Sequence, residues 1–198
     1  MTGVRTFLGV MDDSVEPELW RRARENDGEA FGRLFDVHKA RVYRRALGLV
    51  EDRHDAEDIT AIAFFELWRK RHSITPVKGS VLPWLLVTVV NVSRNQQRSA
   101  SRYQRFLRAA PRHATTDAPD AEPLETRQRL AVALRELSPV DSALLVLTVL
   151  EDVPMTEAAQ AVGLKPGTAR VRLHRARARL REDLQDLDPR PVAAEGIC

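Results

Sequence analysis

The sequence contains a single cysteine, Cys198, among its 198 residues. One cysteine cannot form a disulfide framework or a cysteine-based metal site within the chain. Because this usage is typical of proteins in a reducing cytosol, we expect a cytoplasmic location.

Long apolar runs are also absent. No stretch approaches the roughly 18 consecutive apolar residues of a transmembrane helix. The opening residues are partly apolar, but they lack the long hydrophobic segment and the small-residue cleavage site of a signal peptide. We therefore expect no membrane insertion.

Aromatic residues (6%) and glycines (nine) are few, which favours helix over sheet. The hydrophobic fraction of 43% is sufficient for well-packed interiors, and the length suits one or two domains. The net charge of +3 is small, but basic and acidic residues occupy different segments. Charge distribution is therefore more informative than its total.

No arrangement of residues typical of an active site is present. The sequence has no Gly-x-Ser-x-Gly motif. His54 and Asp58 are four residues apart, but no third ligand lies nearby to complete a metal site. We expect a protein that is not an enzyme and that needs no metal or cofactor. The remaining histidines are scattered, and His38, within an apolar stripe, is expected to be hydrogen-bonded at the edge of a hydrophobic core.

Apolar residues recur at three- and four-residue steps through the first half of the chain, which predicts amphipathic helices. Asp55 is the predicted N-cap of the third of these, whose apolar residues cover more than one face. Such a helix lies at the centre of a bundle or contacts a second protein. The predicted helices span residues 17–26, 29–50 and 55–71.

A loop at 73–80 precedes a stretch that is open to two interpretations. Residues 81–92 are rich in β-branched side chains and, taken alone, are compatible with a strand. We predict a helix, because the stretch continues without a break into a polar helical segment. Residues 91–108 contain five arginines and no acidic residue, so this helix carries a basic face.

Residues 109–126 contain three prolines and four acidic residues and show no helical or strand period, so we predict a flexible linker. Its eighteen residues can span at most about 60 Å. Two further helices are predicted at 128–137 and 138–150, with Ser138 as the cap of the second.

Residues 154–182 predict a helix-turn-helix. Thr156 is the predicted N-cap of the first helix, Gly163 suits a left-handed turn, and Pro166 suits the first position of the second helix. The second helix is rich in arginine, as in motifs that insert a helix into the DNA major groove. The alternative is a solvated basic helix that ends a bundle.

Two basic helices in tethered domains suggest two contacts with one nucleic acid, because a tether raises the effective concentration of the second contact. Arginines directed at phosphates give salt-dependent affinity, whereas contacts with base edges give sequence preference. The predicted fold is therefore all-α, with two small helical domains joined by a flexible linker.

Four segments follow one another along the chain: FGRLFDVHKARVYRRALGLV, DAEDITAIAFFELWRK, LPWLLVTVVNVSRNQ and LRELSPVDSALLVLTVLEDVPMTEAAQAVGLKPGTARVRLHRARARLR. Their order resembles that of sigma-70 family RNA polymerase sigma factors, and the two-domain plan resembles the extracytoplasmic-function (ECF) group. The resemblance covers about residues 17–183. It implies a region 2-like bundle at 17–108, a linker at 109–126 and a region 4-like helix-turn-helix domain at 127–184.

The resemblance also implies roles for individual residues. The third helix would dock on the clamp helices of the largest subunit of core RNA polymerase. The 73–80 loop and the helix after it would read and open the −10 element, and the second helix of the helix-turn-helix would face the −35 element. The polymerase set is Asp55, Glu57, Asp58, Ile59, Ile62, Phe65 and Glu66; the −10 set is Asn91, Arg94 and Arg98; the −35 set is Lys165, Thr168, Arg170, Val171, Arg172 and Arg175.

Within these sets, Asn91 matches a position near a flipped-out base, and Arg94 and Arg98 match positions that hold backbone phosphates. For Asn91 the alternative is a solvent-exposed helical asparagine. The sequence departs from the family pattern at two places. Val171 stands where a small hydroxyl residue is common in the recognition helix, and Ala61 and Ile62 replace a usual polar pair.

We therefore expect a dissociable initiation subunit that directs core polymerase to specific promoters and assists melting of the −10 element. Its expected partners are core RNA polymerase, promoter DNA and an inhibitory anti-sigma factor. The alternative is a self-sufficient helix-turn-helix transcriptional regulator, and a weaker one is a helical adaptor with no DNA role.

Overall fold

A computed structural model describes residues 15–108 and 122–184, and the regular secondary structure within these ranges is helical. The prediction of an all-α fold with two small helical domains is confirmed. The helices are α1 (Val15–Arg24), α2 (Gly28–Leu47), α3 (Arg53–Arg69), α4 (Leu82–Arg108), α5 (Glu122–Glu136), α6 (Pro139–Leu145), a π-helical segment (Val146–Leu150), α7 (Met155–Ala161) and α8 (Pro166–Asp183).

The stretch that was compatible with a strand is helical in α4. Its buried side chains include Leu85, Leu86, Val89 and Val90, whose i, i+1, i+4, i+5 spacing places them on one helical face. This face packs on α2 and α3. The tertiary contacts therefore favour a helix, although β-branched residues have a lower helical propensity.

Two of the predicted helix caps are wrong. Asp55 lies inside the first turn of α3, and the cap is Asp52, whose carboxylate accepts a hydrogen bond from the His54 backbone N–H at 2.8 Å. Thr156 lies inside α7, which begins after the extended residue Pro154 without a side-chain cap. Each helix starts earlier than predicted because an extended residue closer to the N-terminus already leads into it.

Other local predictions are confirmed. The Ser138 hydroxyl accepts a hydrogen bond from the Asp141 backbone N–H at 3.2 Å and caps α6. Pro166 occupies the first turn of α8. Gly163 has a φ of 72°, the left-handed conformation that the turn of the helix-turn-helix requires.

Helices α1 to α4 form the first domain, with a hydrophobic core between α2, α3 and α4. Two aromatic pairs join α2 to α3: the ring centroids are 4.9 Å apart for Phe31 and Trp68, and 4.7 Å apart for Phe35 and Phe64. Large aromatic contacts therefore hold α2 against α3.

His38 is buried and hydrogen-bonded, as predicted. Its Nε2 lies 2.9 Å from Glu16 Oε1, which also accepts the Val81 backbone N–H at 2.8 Å. Burial opposes ionisation of Glu16, but the hydrogen bond and charge of His38 and the Val81 N–H outweigh it, so the pKa of Glu16 is lowered. This carboxylate joins α1 to α2 and to the start of α4.

Helices α5 to α8 form the second domain, in which α6 packs against α8 and continues into the π-helical segment. The predicted linker is wrong at its end, because α5 begins at Glu122 and residues 122–126 are helical. Its remaining part, 109–121, lies outside the described residues, as do His113 and Cys198. No described helix combines the length and apolar composition needed to cross a bilayer.

Candidate nucleic-acid and polymerase interfaces

The outer face of α3 combines acidic residues with exposed apolar side chains. Asp55, Glu57 and Asp58 are exposed near its N-terminus. Two turns further along, Ile62 is partly exposed and Phe65 is 62% exposed. Single exposed apolar residues are ordinary, but Phe65 and Ile62 together give this face an exposed apolar patch.

Phe65 also borders an apolar surface pocket of about 290 Å³. The pocket is shallow and is lined by aromatic residues that pair α2 with α3, and Trp68, which packs against Phe31, is half-buried at this surface. The sequence motif identified the α3 side of the pocket but not the α2 side, because only the fold brings the two together. The lining residues are Gly28, Phe31, Phe64, Phe65 and Trp68.

Ile59 is a correction to the predicted polymerase set. Its side chain is fully buried, at 0% exposure, in the hydrophobic core of the first domain. It lies on the inner face of α3, where it packs instead of contacting a partner. Because α3 has apolar residues on most sides, the spacing of these residues did not show that Ile59 is buried and Ile62 is exposed.

Glu66 lies on the exposed side of α3 in a small ion-pair cluster. Its carboxylate is 2.6 Å from Arg69 Nη2 and 3.1 Å from Lys70 Nζ. Hydrogen bonds from Arg69 and Lys70 lower the pKa of Glu66 to about 2, so the group is ionised throughout the physiological range. The acidic character of this end of the helix is thus partly neutralised by its own neighbours.

On α4 the predicted −10 residues follow an i, i+3, i+7 spacing, which places them on one face of the helix. Asn91 and Arg98 are exposed. Arg94, in contrast, is 8% exposed, and its Nη1 donates to the Leu134 carbonyl at 3.0 Å and lies 3.4 Å from Ser142 Oγ.

Arg94 is therefore a second correction: in this conformation it cannot hold a phosphate, because the second domain covers it. Burial lowers the pKa of the Arg94 guanidinium, and the nearby charge of Arg98 acts in the same direction. The sequence carries no signal for this contact, whose partners lie 40 and 48 residues away.

The second helix of the helix-turn-helix, α8, presents an exposed face. Thr168, Val171 and Arg175 follow an i, i+3, i+7 spacing and are exposed together, while Ala169, Leu173 and Ala176 form the buried face. Lys165 and Arg170 are exposed at its N-terminal end and flank. Five of the six predicted −35 residues are thus available to DNA.

Arg172, the sixth, is a third correction. Its Nε donates to Asp141 Oδ1 at 2.7 Å, and its Nη2 donates to Ser138 Oγ at 2.9 Å. Burial opposes ionisation of Asp141, but hydrogen bonds from Arg172 and Ser138 outweigh it and lower the pKa of Asp141. Arg172 therefore fastens α8 to the N-terminal cap of α6.

Family comparisons agree with this arrangement of two domains. Residues 34–103 match the model of Sigma-70 region 2, and residues 127–180 match the model of Sigma-70, region 4. The first match includes α3 and most of the basic helix α4. The second match covers the helix-turn-helix and the anchor between α6 and α8.

Characterised relatives extend along nearly the whole chain. The chain is similar to RNA polymerase sigma factor CarQ of Myxococcus xanthus, with 33% identity over 84% of this chain and 96% of the relative. It is also similar to the ECF RNA polymerase sigma factor SigE of Mycolicibacterium smegmatis, with 32% identity over 92% of this chain and 68% of the relative.

Solved structures share the fold. CnrH in complex with the cytosolic domain of CnrY superimposes with a TM-score of 0.57 at 23% identity, covering 88% of this chain and 99% of that one. The sigma factor RpoE bound to the anti-sigma factor NepR from Bartonella quintana gives a TM-score of 0.53 at 22% identity, covering 78% and 96%. With family models at both domains and relatives above 30% identity, the chain belongs to the sigma-70 family of RNA polymerase sigma factors, in its extracytoplasmic-function group.

Proposed function

We propose that this sigma factor binds core RNA polymerase through the outer face of α3, directs it to promoters through α4 and α8, and assists opening of the −10 element. The single observation that carries the proposal is that one chain combines an acidic and apolar docking face on α3 with an exposed, basic recognition helix α8. A polymerase subunit needs both surfaces.

Polymerase docking is assigned to the first domain, 17–108, with the clamp helices of the largest subunit as the partner. Phe65 and Ile62 supply the apolar contact, and Asp55, Glu57 and Asp58 supply negative charge at the start of α3. Aromatic side chains that enter a desolvated contact commonly provide much of the binding energy of an interface. Acidic residues around it improve the rate and the specificity of association.

Contact with the −10 element is assigned to α4 and to the 73–80 loop before it. An exposed amide such as that of Asn91 can hydrogen-bond a base edge, and extruding a base costs a few kcal/mol. Arg98 would hold the backbone next to it. Arg94 joins this set only after the second domain has moved away from α4.

Contact with the −35 element is assigned to the second domain, 127–184. Arg175 and Thr168 lie on the exposed face of α8, where an arginine set bidentately on a guanine contributes about 1–3 kcal/mol of discrimination. Val171 provides an apolar contact suited to a thymine methyl group. Lys165 and Arg170 are placed for phosphates at the groove edge.

The inferred setting is the cytoplasm, where core polymerase and promoter DNA reside. We also propose an anti-sigma factor as an inhibitory partner: RpoE and CnrH, which share this fold, were solved in complexes with NepR and CnrY. In this scheme the polymerisation chemistry belongs to core polymerase, and the chain itself contributes binding and positioning. A self-sufficient regulator is not favoured, since it has no need for the docking face on α3.

The test is addition of the purified chain to core RNA polymerase, with measurement of core affinity and of transcription from a promoter selected in vitro. Phe65→Ser should weaken core binding by about tenfold or more, as expected for loss of an aromatic anchor. Val15→Ser removes another partly exposed apolar side chain, on α1, and serves as the matched control with unchanged binding.

Two outcomes would count against the proposal. If the chain binds promoter DNA tightly alone but neither binds core polymerase nor supports initiation, the function is that of a regulator. If core binding occurs but Phe65→Ser leaves it unchanged, the docking face has been assigned to the wrong side of the domain.

A further inference from the structure

We propose that the free chain is held in a closed state by a buried glutamate, Glu151, and that this state covers one of its own DNA-binding residues, Arg94. The inference that closure opposes promoter binding rests on the proposed function. The closure itself rests only on contacts between the two domains.

Glu151 follows the π-helical segment of the second domain, and its side chain is 6% exposed. Two arginines of α2, in the first domain, surround its carboxylate: Arg41 Nε is 2.5 Å from Oε2, and Arg45 Nη2 is 2.6 Å from Oε1. The same guanidinium groups donate to the backbone carbonyls of Glu151 at 3.0 Å and Leu150 at 3.1 Å. We call this cluster the Glu151 latch.

The latch is more than a surface ion pair. Arg45 is only 17% exposed in its side chain, so its interaction with Glu151 is weakly screened. Removing one partner of a buried, hydrogen-bonded pair leaves the other charge buried without a partner. The closed state would then lose the stabilising contact and also carry the free-energy cost of that unpaired charge. A second pair between the domains, Lys78 Nζ to Glu157 Oε1 at 2.6 Å, is more exposed on the lysine side and contributes less.

Beside the latch, α4 packs directly against the second domain. Val90 and Arg94 of α4 share a small, nearly filled pocket with Ala131 and Leu134 of α5, and the buried apolar residues of both domains form one cluster. Arg94 lies inside this contact, with Leu134 and Ser142 as its acceptors. A basic residue that is accessible in an open α4 is therefore sequestered in the closed chain.

The sequestered guanidinium is incompletely satisfied. Arg94 Nε is buried, and among the residues that the structure describes it has no hydrogen-bond partner. Burying such a donor is unfavourable, so Arg94 itself opposes closure, while the latch and the apolar contact favour it. The equilibrium between the closed and the open chain thus depends on opposing contributions, and loss of one latch residue can shift it towards the open chain.

Closure also conflicts with simultaneous contact at two promoter elements. DNA sites two helical turns apart are separated by about 70 Å along the duplex. In the closed chain, however, α4 is in direct contact with α6 and α7, the elements next to the recognition helix. Promoter binding therefore requires the domains to separate, which frees Arg94 at the same step.

The experiment measures the distance between the domains in the full chain, without polymerase or DNA. Cys198→Ser removes the native cysteine, and Arg33→Cys on α2 and Arg179→Cys on α8 carry a pair of spectroscopic labels at exposed positions. The parent should show mainly the short distance. Glu151→Gln should raise the ratio of open to closed molecules by about tenfold or more, as expected for breaking a buried pair.

Arg41→Gln combined with Arg45→Gln attacks the latch from the other domain and should open the chain to a similar extent. Glu18→Gln, which removes an exposed ion pair within α1, is the matched control and should leave the distances unchanged. Helical content by circular dichroism checks that the latch variants remain folded. A parent that is already open, or latch variants that stay closed, would overturn the proposal.

The result can be separated from the proposed function. If the latch variants open the chain but the protein fails to support transcription with core polymerase, the closed state stands and the assignment as an initiation subunit fails. If transcription occurs but the distances do not respond to Glu151→Gln, initiation stands and the latch fails.

Discussion

At the scale of single residues, exposure distinguishes side chains that pack within the protein from side chains that can contact a partner, which residue type alone does not. Ile59 and Phe65 are both apolar residues of α3, yet one is buried in the hydrophobic core and the other is the most prominent exposed aromatic of the described chain. Arg172 and Arg175 differ in their partners, since Arg172 forms an ion pair with Asp141 while Arg175 is exposed. A helical repeat assigns faces only to within about one residue, whereas packing assigns each side chain.

Gly79 is a position where the backbone itself requires glycine. Its φ is 83°, and an added Cβ would lie 2.8 Å from Pro17 Cγ of α1. Gly79→Ala should therefore destabilise the first domain by about 1–3 kcal/mol through strain and steric overlap. Chemical denaturation of the full chain measures this change.

The matched control is Gly32→Ala in α2, where an added Cβ meets nothing within 4 Å. It should stabilise the chain by about 0.5–1 kcal/mol, since alanine is a better helix former. Equal effects of the two substitutions would show that the loop before α4 does not depend on its contact with α1.

The carboxylate of Glu16 gives a pH-dependent contribution to stability. Its pKa is lowered in the folded chain, so its contribution is fully present above the ordinary glutamate pKa of about 4.3 and is lost as the pH falls through the folded-state value. Glu16→Gln should cost about 1–2 kcal/mol at pH 7, because His38 and the Val81 N–H lose their charged partner.

Thermal unfolding as a function of pH provides the measurement. The difference in stability between the parent chain and Glu16→Gln should shrink as the pH falls below about 4, where the carboxyl becomes protonated. A difference that is constant from pH 7 to pH 3 would mean that Glu16 acts by packing and not by its charge.

At the scale of elements, α8 uses opposite sides for two tasks. Its buried side and Arg172 hold it on α6, and its exposed side carries the candidate −35 residues. The π-helical segment has a comparable role at the other end of α6. At its end the backbone carbonyl of Leu150 accepts a hydrogen bond from Arg45 Nη2 of α2 at 3.1 Å. Irregular helical turns of this kind frequently mark functional positions.

Substitution of the two neighbouring arginines tests this division. Arg172→Ala should lower the stability of the second domain by about 1 kcal/mol, a modest loss because its side chain is 38% exposed. Arg175→Ala should leave stability unchanged and weaken use of a selected promoter by about tenfold, corresponding to one base contact. Thermal unfolding and transcription with core polymerase are the two measurements.

Arg172→Lys provides a further check on the anchor. A lysine keeps the charge but cannot reproduce the forked contact with Asp141 and Ser138, so it should recover only part of the lost stability. If Arg172→Ala were fully stable and lost promoter use, Arg172 would be a base-contacting residue after all.

At the scale of the whole molecule, two domains share one continuous hydrophobic cluster in the described part of the chain. The segment between α4 and α5, residues 109–121, can extend over at most about 45 Å. Under the proposed function, this length together with the widths of the domains allows them to reach two neighbouring DNA sites.

We predict that initiation depends on the number of base pairs between the two promoter elements. Inserting five base pairs rotates one element by about half a turn relative to the other, so the two domains of one chain can no longer reach both on the same face. Initiation with core polymerase should fall by at least about tenfold, because the second contact loses its intramolecular advantage.

Changing the sequence of the spacer at constant length is the control for that experiment, and it should have little effect. Initiation that is indifferent to the five-base-pair insertion would contradict simultaneous use of α4 and α8. Transcription in vitro on a matched set of templates gives both results.

Sequence alone determined the all-α class, the helix-turn-helix, the turn at Gly163 and the cap at Ser138. These features depend on neighbours within a few residues: apolar periodicity, backbone conformation and capping hydrogen bonds. The linker was predicted to continue to residue 126, because the composition of 122–126 did not show that a helix begins at Glu122. The family resemblance came from the order of such local motifs along the chain.

Only the tertiary structure decided which residues of each motif remain available for binding. Arg172 meets a partner 31 residues away, Arg94 one 40 residues away, and Arg41 one 110 residues away. No local pattern encodes these contacts, because they depend on how distant helices pack against each other. The same packing buries Ile59, exposes Phe65 and forms the Glu151 latch.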